Sequence, residues 1–310
     1  MRTRRRRSMR GVLALALVAS GMLVDSVPAR ASTPSPIYGV TLDRIGNLTR
    51  VIAGERALPE RPTSRVYFDV SEPASHYAKA VSELHTVSAV MGELLDSSDS
   101  TLITTSQYQS RVESYLGVLG PSVDIWEIGN EVNGNWTGPY STGAAKLQEA
   151  FADVTAAGGR SALTLYANEY APDNCGDGTG ELTPVQYSEQ YVPEPVRDGL
   201  TYVFESYYPT QCEDTYPTND QVTAEMDQLH ALYPNALLGF GEVGLARRVK
   251  TKTVPTAAQV MSWAYGLHPD TPGYVGGYFW WYAFEDVFTG RQLLAPNLSR
   301  AFEAEAAAIG

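Results

Sequence analysis

Histidine and cysteine are scarce in this chain of 310 residues, with four of the first and two of the second. His76, His85, His230 and His268 are scattered through helical patterns, so a surface or packing role is expected for each. They form no metal-ligand spacing with Cys175 or Cys212, and no Ser-His-Asp set can be assembled. A phosphate-binding loop is also missing: YGVTLDRIGN, after the first strand pattern, lacks the glycine spacing that nucleotide folds use there. Low-complexity tracts and long linkers are absent, and beyond the first 31 residues no apolar run nears membrane-spanning length. Neither a metal nor a cofactor is expected.

Positive charge is in short supply as well. There are 23 Lys and Arg against 35 Asp and Glu, a net charge of −12. Six arginines lie in residues 1–10, followed by an uncharged apolar stretch at 11–24 and then Ala29-Arg30-Ala31. That order predicts a secretory signal peptide over 1–31, with an uncleaved anchor as the alternative. Arg6-Arg7 leaves twin-arginine export open, although Arg10 stands where an apolar residue is preferred. Seven basic residues and one acidic residue fall within 1–31, so 32–310 would carry 16 and 34, a net −18. Such a surface disfavours nucleic acid and anionic membranes, and predicts a soluble, extracellular monomer. Residues 32–310 are enough for one large domain.

Short β-branched or aromatic runs alternate with amphipathic helical patterns. Strands are expected at 37–41, 65–70, 101–105, 123–128, 162–167, 201–206, 236–241 and 274–281. Helices are expected at about 44–54, 74–95, 106–119, 142–157, 184–198, 219–232, 255–267 and 297–308. Eight strand–helix units in one domain predict an α/β fold of the (β/α)8 barrel type rather than an open doubly wound sheet. LTLYA and YVGGYFWWYAF have the continuous apolar character of parallel strands buried on both faces.

In such a barrel the working residues stand at the C-terminal ends of the strands. Those ends supply Asp43, Asp69, Glu72, Asn130-Glu131, Asn168-Glu169, Glu205, Tyr207-Tyr208, Glu242 and Glu285-Asp286. Carboxylates among aromatics and amides suit glycosidic-bond cleavage. One carboxylic acid protonates the leaving oxygen, a carboxylate acts on the opposite face, and aromatic faces stack on sugar rings.

Asn130-Glu131, in DIWEIGNEVNGNW after the fourth expected strand, resembles the acid/base motif of the clan A glycoside hydrolases. Glu242, in LLGFGEVGL after the seventh, resembles their nucleophile. The resemblance implies a retaining (β/α)8 enzyme in which Asn130 binds the substrate's 2-hydroxyl. It further implies that Tyr207, in FESYYP, orients the nucleophile and that Trp281, in GYFWWYAFED, is the platform under the cleaved sugar. No single family within the clan is assigned. Clan members often carry an arginine near the end of the second strand. Here Arg65 stands at the start of RVYFDV, and Asp69 takes that place.

Other assignments stay open at this level. Only one of Tyr207 and Tyr208, and one of Trp280 and Trp281, can face the barrel mouth. Glu169 is a second Asn-Glu carboxylate, expected to bind substrate or cap a loop, and Trp136 is a sugar platform or a loop anchor. Cys175 and Cys212 fall in the neighbouring loops after strands five and six, and export predicts that they pair. The expected partner is a carbohydrate polymer or oligomer cut at β-linkages, preferably within the chain. The alternative is a carbohydrate-binding or transglycosylating barrel that uses the same cleft.

Overall fold

The computed structural model describes residues 35–171, Cys175 and 181–309. The signal-peptide expectation over 1–31 lies outside the described residues, as do residues 172–174 and 176–180. Among those described, no helix is long and apolar enough to cross a membrane.

Eight parallel strands close on themselves in sequence order. They are β1 (Ile37–Leu42), β2 (Thr63–Tyr67), β3 (Ala89–Glu93), β4 (Ile125–Asn130), β5 (Ser161–Tyr166), β6 (Tyr202–Tyr207), β7 (Leu237–Val243) and β8 (Tyr274–Trp280). Around them run α1 (Leu48–Arg56), α2 (Ala74–Leu84), α3 (Thr105–Leu119), α4 (Tyr140–Ala156), α5 (Pro184–Tyr191), α6 (Glu194–Gly199), α7 (Asn219–Leu232), α8 (Val254–Ala264) and α9 (Ala295–Ile309). This is the (β/α)8 barrel that the strand–helix alternation predicts.

Two hydrophobic layers hold it together. Ile37, Met91, Ile125, Ala162, Tyr202, Phe204, Val275 and Phe279 form an apolar plug inside the barrel. The larger core, between sheet and helices, takes the alternate strand positions together with the buried stripes of the helices. Capping boxes start three helices, with Thr104, Thr183 and Thr218 paired to Gln107, Gln186 and Gln221.

One strand expectation is wrong. Residues 101–105 are not a strand: they run from a 3-10 turn, Ser97–Leu102, into the N-terminus of α3. Thr104, whose β-branched neighbours imitate a strand, serves there as the helix cap. The real third strand, Ala89–Glu93, lies inside the stretch expected as helix 74–95. α2 ends at Leu84 with no glycine or proline to mark the stop. Instead the chain tightens through bonds from Thr86 N–H to Glu83 and from Val87 N–H to Leu84. The helix expected at 184–198 is divided into α5 and α6, with Pro193 as the N-cap of the second. The two strand errors offset one another, so β4 and β7 keep their expected ordinal places.

Candidate active site

Both candidate carboxylates follow a bulge built around a glycine. In β4 the pairing to β5 shifts between Glu127 and Gly129, and Glu127 meets Arg65 inside the barrel. Glu131 follows in the left-handed region, with φ 47°, its N–H bonded to Thr164 O at 2.8 Å. In β7, Phe240 packs outward on Tyr278 and Trp263. Strict alternation would send Glu242 the same way. The register shift that pairs Glu205 with Phe240 and Ser206 with Glu242 inserts Gly241 and turns Glu242 inward. A Cβ on Gly241 would lie 2.6 Å from Thr164 Oγ1 and 2.9 Å from Phe204 Cβ, so glycine is required at that close approach.

Glu131 and Glu242 line one cleft, with Asp96, Ser97, Trp136, Tyr166, Tyr208, Gln211, Trp281 and Tyr282 among its walls. Its volume is about 440 Å³. The donors to the two carboxylates differ in kind. Glu131 accepts from Ser97 Oγ at 2.7 Å and Ser206 Oγ at 2.5 Å, both neutral hydroxyls. Glu242 accepts from Arg65 Nη1 at 2.9 Å and from the hydroxyl of Tyr208. Burial raises the pKa of both, that of Glu242 to about 8 with the charge of Arg65 as the largest opposing influence. A cation and a phenol on Glu242 favour its anion. The two serines on Glu131 likewise oppose the rise that burial imposes on it.

Arg65 is the hub beneath the cleft. Its side chain is fully buried and meets Glu127 at 2.6 Å, Glu93 at 2.9 Å and Glu242 at 2.9 Å. The ring of Trp281 lies 5.0 Å from the guanidinium carbon. Thr164 Oγ1 donates to Glu127 at 2.5 Å and completes that carboxylate's shell. Glu93 is raised well above the ordinary carboxylate range, first by burial and then, against the pull of Arg65, by Glu127.

Asn130 is buried, and its Oδ1 accepts from Ser97 N–H at 2.9 Å. Its Nδ2 has no hydrogen-bond partner. Trp136 is 38% exposed and sets its ring edge on Tyr166 at 5.1 Å. Trp281 lines the cleft, whereas Trp280 is buried and donates its Nε1–H to Asp286 at 3.0 Å.

Three expected site residues lie elsewhere. Tyr207 points outward, donates to Thr215 O at 3.0 Å and packs against Tyr170 and Trp263, so Tyr208 is the tyrosine on Glu242. Asp69 lies two residues past β2 and accepts from Ser71 N–H and Oγ, which closes a turn. β2 begins at Thr63 and brings Arg65 to its centre, where its guanidinium reaches Glu242. Glu169 faces away from the cleft. Its carboxylate, with Glu205 of β6 and Glu225 of α7, forms a triad whose oxygens lie within 4.8 Å of one another. Tyr170 donates to Glu205 at 2.8 Å, and burial raises all three carboxyls. Among the described residues this triad is the one three-ligand group able to hold a hard cation, and it lies outside the cleft lining.

Sequence reasoning missed Asp96, Ser97, Glu127 and Ser206, gave Arg65 no role, and left Tyr208 open against Tyr207. Asp96 and Ser97 follow the misplaced third strand. Ser206 and Tyr208 lie on the inward parity of β6, which the burial of Phe204 inside the barrel fixes. The Cys175–Cys212 disulfide is present and joins the segments after β5 and β6.

No family model and no curated protein matches the chain. Solved structures do. Fpglu1 from Fervidobacterium pennivoraus is 13% identical and superposes with a TM-score of 0.59 over 85% of this chain and 84% of its own. A GH10 xylanase from Bispora sp. MEY-1, solved with xylobiose, is 11% identical, with a TM-score of 0.56 over 85% of this chain and 95% of its own. Gas2p of Saccharomyces cerevisiae, solved with laminaritriose and laminaritetraose, is 14% identical, with a TM-score of 0.48 over 88% of this chain. The chain spans about 65% of the length of that yeast structure. The likenesses to Fpglu1 and the xylanase establish the fold, a (β/α)8 barrel.

Proposed function

We propose that this chain is a retaining glycoside hydrolase acting on β-linked carbohydrate, with Glu242 as nucleophile and Glu131 as general acid and base. The observation that carries the proposal is the unequal pair in one cleft. One buried carboxylate is held by an arginine and a tyrosine, the other by two serines. Two carboxyls perform opposite roles only when their surroundings differ, and of the two, among the described residues, Glu242 alone is in direct contact with a cation.

In the first step the Glu242 carboxylate attacks the anomeric carbon, the glycosidic C–O bond breaks, and the Glu131 proton passes to the departing oxygen. In the second, ionised Glu131 takes a proton from water, whose oxygen displaces Glu242 from the anomeric carbon and leaves Glu131 protonated again. The free Nδ2 of Asn130 is the donor available to the 2-hydroxyl. Trp281 and Trp136 offer stacking faces to sugars along the cleft. Export under the signal over 1–31, and action within polymer chains rather than at their ends, belong to the same proposal.

The test is the Glu242→Ala variant. Hydrolysis should fall by about four orders of magnitude or more, and azide should restore part of it with formation of a glycosyl azide of opposite anomeric configuration. Full hydrolysis by that variant, or an inverted product from the unmodified chain, would overturn the mechanism.

A further inference from the structure

Basic residues are few in this chain and unevenly placed. Of the 16 Lys and Arg in residues 32–310, four fall within six positions, as Arg247, Arg248, Lys250 and Lys252. No acidic residue occurs from Gly244 to Ala264, the end of α8. This segment continues directly from β7 and the Glu242 that it carries.

The four side chains surround one depression of about 380 Å³, floored by Leu245 and Ala246. Leu245 and Ala246 also line the catalytic cleft, so the depression and the cleft share a wall. Thr210 also lines it, and the next residue, Gln211, lines the cleft. Arg248 is held in place by Asp43 at 3.3 Å and Glu285 at 3.2 Å. Arg247, Lys250 and Lys252 are exposed and, among the described residues, form no ion pair.

An acidic molecule repels polyanions at long range, so an uncompensated basic patch matters within the Debye length of about 10 Å. A solvated helix face ordinarily interleaves both signs, whereas here one sign is concentrated beside the reacting residues. We propose that the depression is a subsite for an anionic sugar, and that the substrate is a glycan bearing carboxylate or sulfate groups. The charged unit would occupy the depression while a neighbouring linkage lies between Glu131 and Glu242. The inference rests on the hydrolase reading for its catalytic consequence, though binding in the depression does not require turnover.

Two measurements separate the two ideas. In the first, the unmodified chain is assayed on matched neutral, uronic acid-containing and sulfated β-glycans, at low and high NaCl, alongside Arg247→Ala/Lys252→Ala. The anionic glycans should be preferred, their KM should rise with salt, and the double variant should lower the anionic-to-neutral ratio of kcat/KM by about tenfold or more. The carboxylated and sulfated arms identify which anion the depression takes. In the second, calorimetry on Glu242→Ala measures the binding of the same oligosaccharides without turnover. Salt-sensitive binding of the anionic ligand with no hydrolysis by the unmodified chain would keep the subsite and overturn the hydrolase reading. Hydrolysis of neutral glycans at equal or higher efficiency, with an unchanged ratio in the double variant, would overturn the subsite and keep the hydrolase.

Discussion

The two adjacent tyrosines of FESYYP have opposite fates. Tyr208 donates to Glu242 from the cleft side, and Tyr207 donates to Thr215 O within the packing behind the sheet. Tyr208→Phe should therefore lower kcat about tenfold to a hundredfold, by removing a donor whose bond stabilises the carboxylate as it leaves the sugar. Tyr207→Phe should leave kcat within about twofold and cost about 1 kcal/mol of stability, from one lost buried hydrogen bond. Steady-state kinetics and a denaturation midpoint on both variants check the pair, and the reverse ordering would refute the assignment. Arg65 teaches the same lesson. Its residue type was visible in RVYFDV, but its meaning depends on a strand start two residues earlier than apolar patterning indicates.

Among the elements, helix starts were legible and helix ends less so. Thr183 and Thr218 announce α5 and α7 because a threonine followed three residues later by glutamine satisfies free N–H groups at the first turn. Thr218→Ala should cost about 1 kcal/mol, seen as a lower thermal midpoint with unchanged kinetics. The stop of α2 carries no comparable residue, and β3 has only five, so the helical pattern ran on through Ala89–Glu93. Glu131 and Glu242 were legible as strand-end acids because IGNE and FGE carry their glycines in the sequence. Their inward aim was not, since it depends on the bulges at Gly129 and Gly241 and on the interstrand register there. Tyr207 and Glu169 were misassigned for the same reason: parity along a strand is fixed by a neighbour's pairing, which local sequence does not contain.

For the whole molecule, the proton balance of the interior is the property with the widest effect. Glu169, Glu205 and Glu225 meet behind the sheet, and burial pushes Glu225 up to about 7. Glu55 is raised to about 7 and Glu305 to about 8, also by burial. A carboxyl whose folded pKa exceeds its unfolded value binds more protons in the folded state. Its stabilisation is complete below the unfolded pKa and is lost as pH rises through the folded one. Stability should therefore decline from about pH 4.5 to about pH 8, with Glu225 and its two carboxylate neighbours contributing to the fall. Urea midpoints across that window test the sign, and Glu225→Gln should flatten part of the slope. A midpoint that climbed with pH would contradict it.

Arg65 has a final consequence for the catalytic cycle. Glu93, Glu127 and Glu242 share this one guanidinium, and the proton affinity of Glu93 is raised in part by the other two. In the proposed mechanism Glu242 becomes an ester, and one negative charge then vanishes from that circle. Glu93 then holds its proton less tightly. Formation of the covalent intermediate should thus be an acidifying event. Trapping it with a slow fluorinated sugar should release protons to the medium, with a heat that scales with the ionisation enthalpy of the buffer.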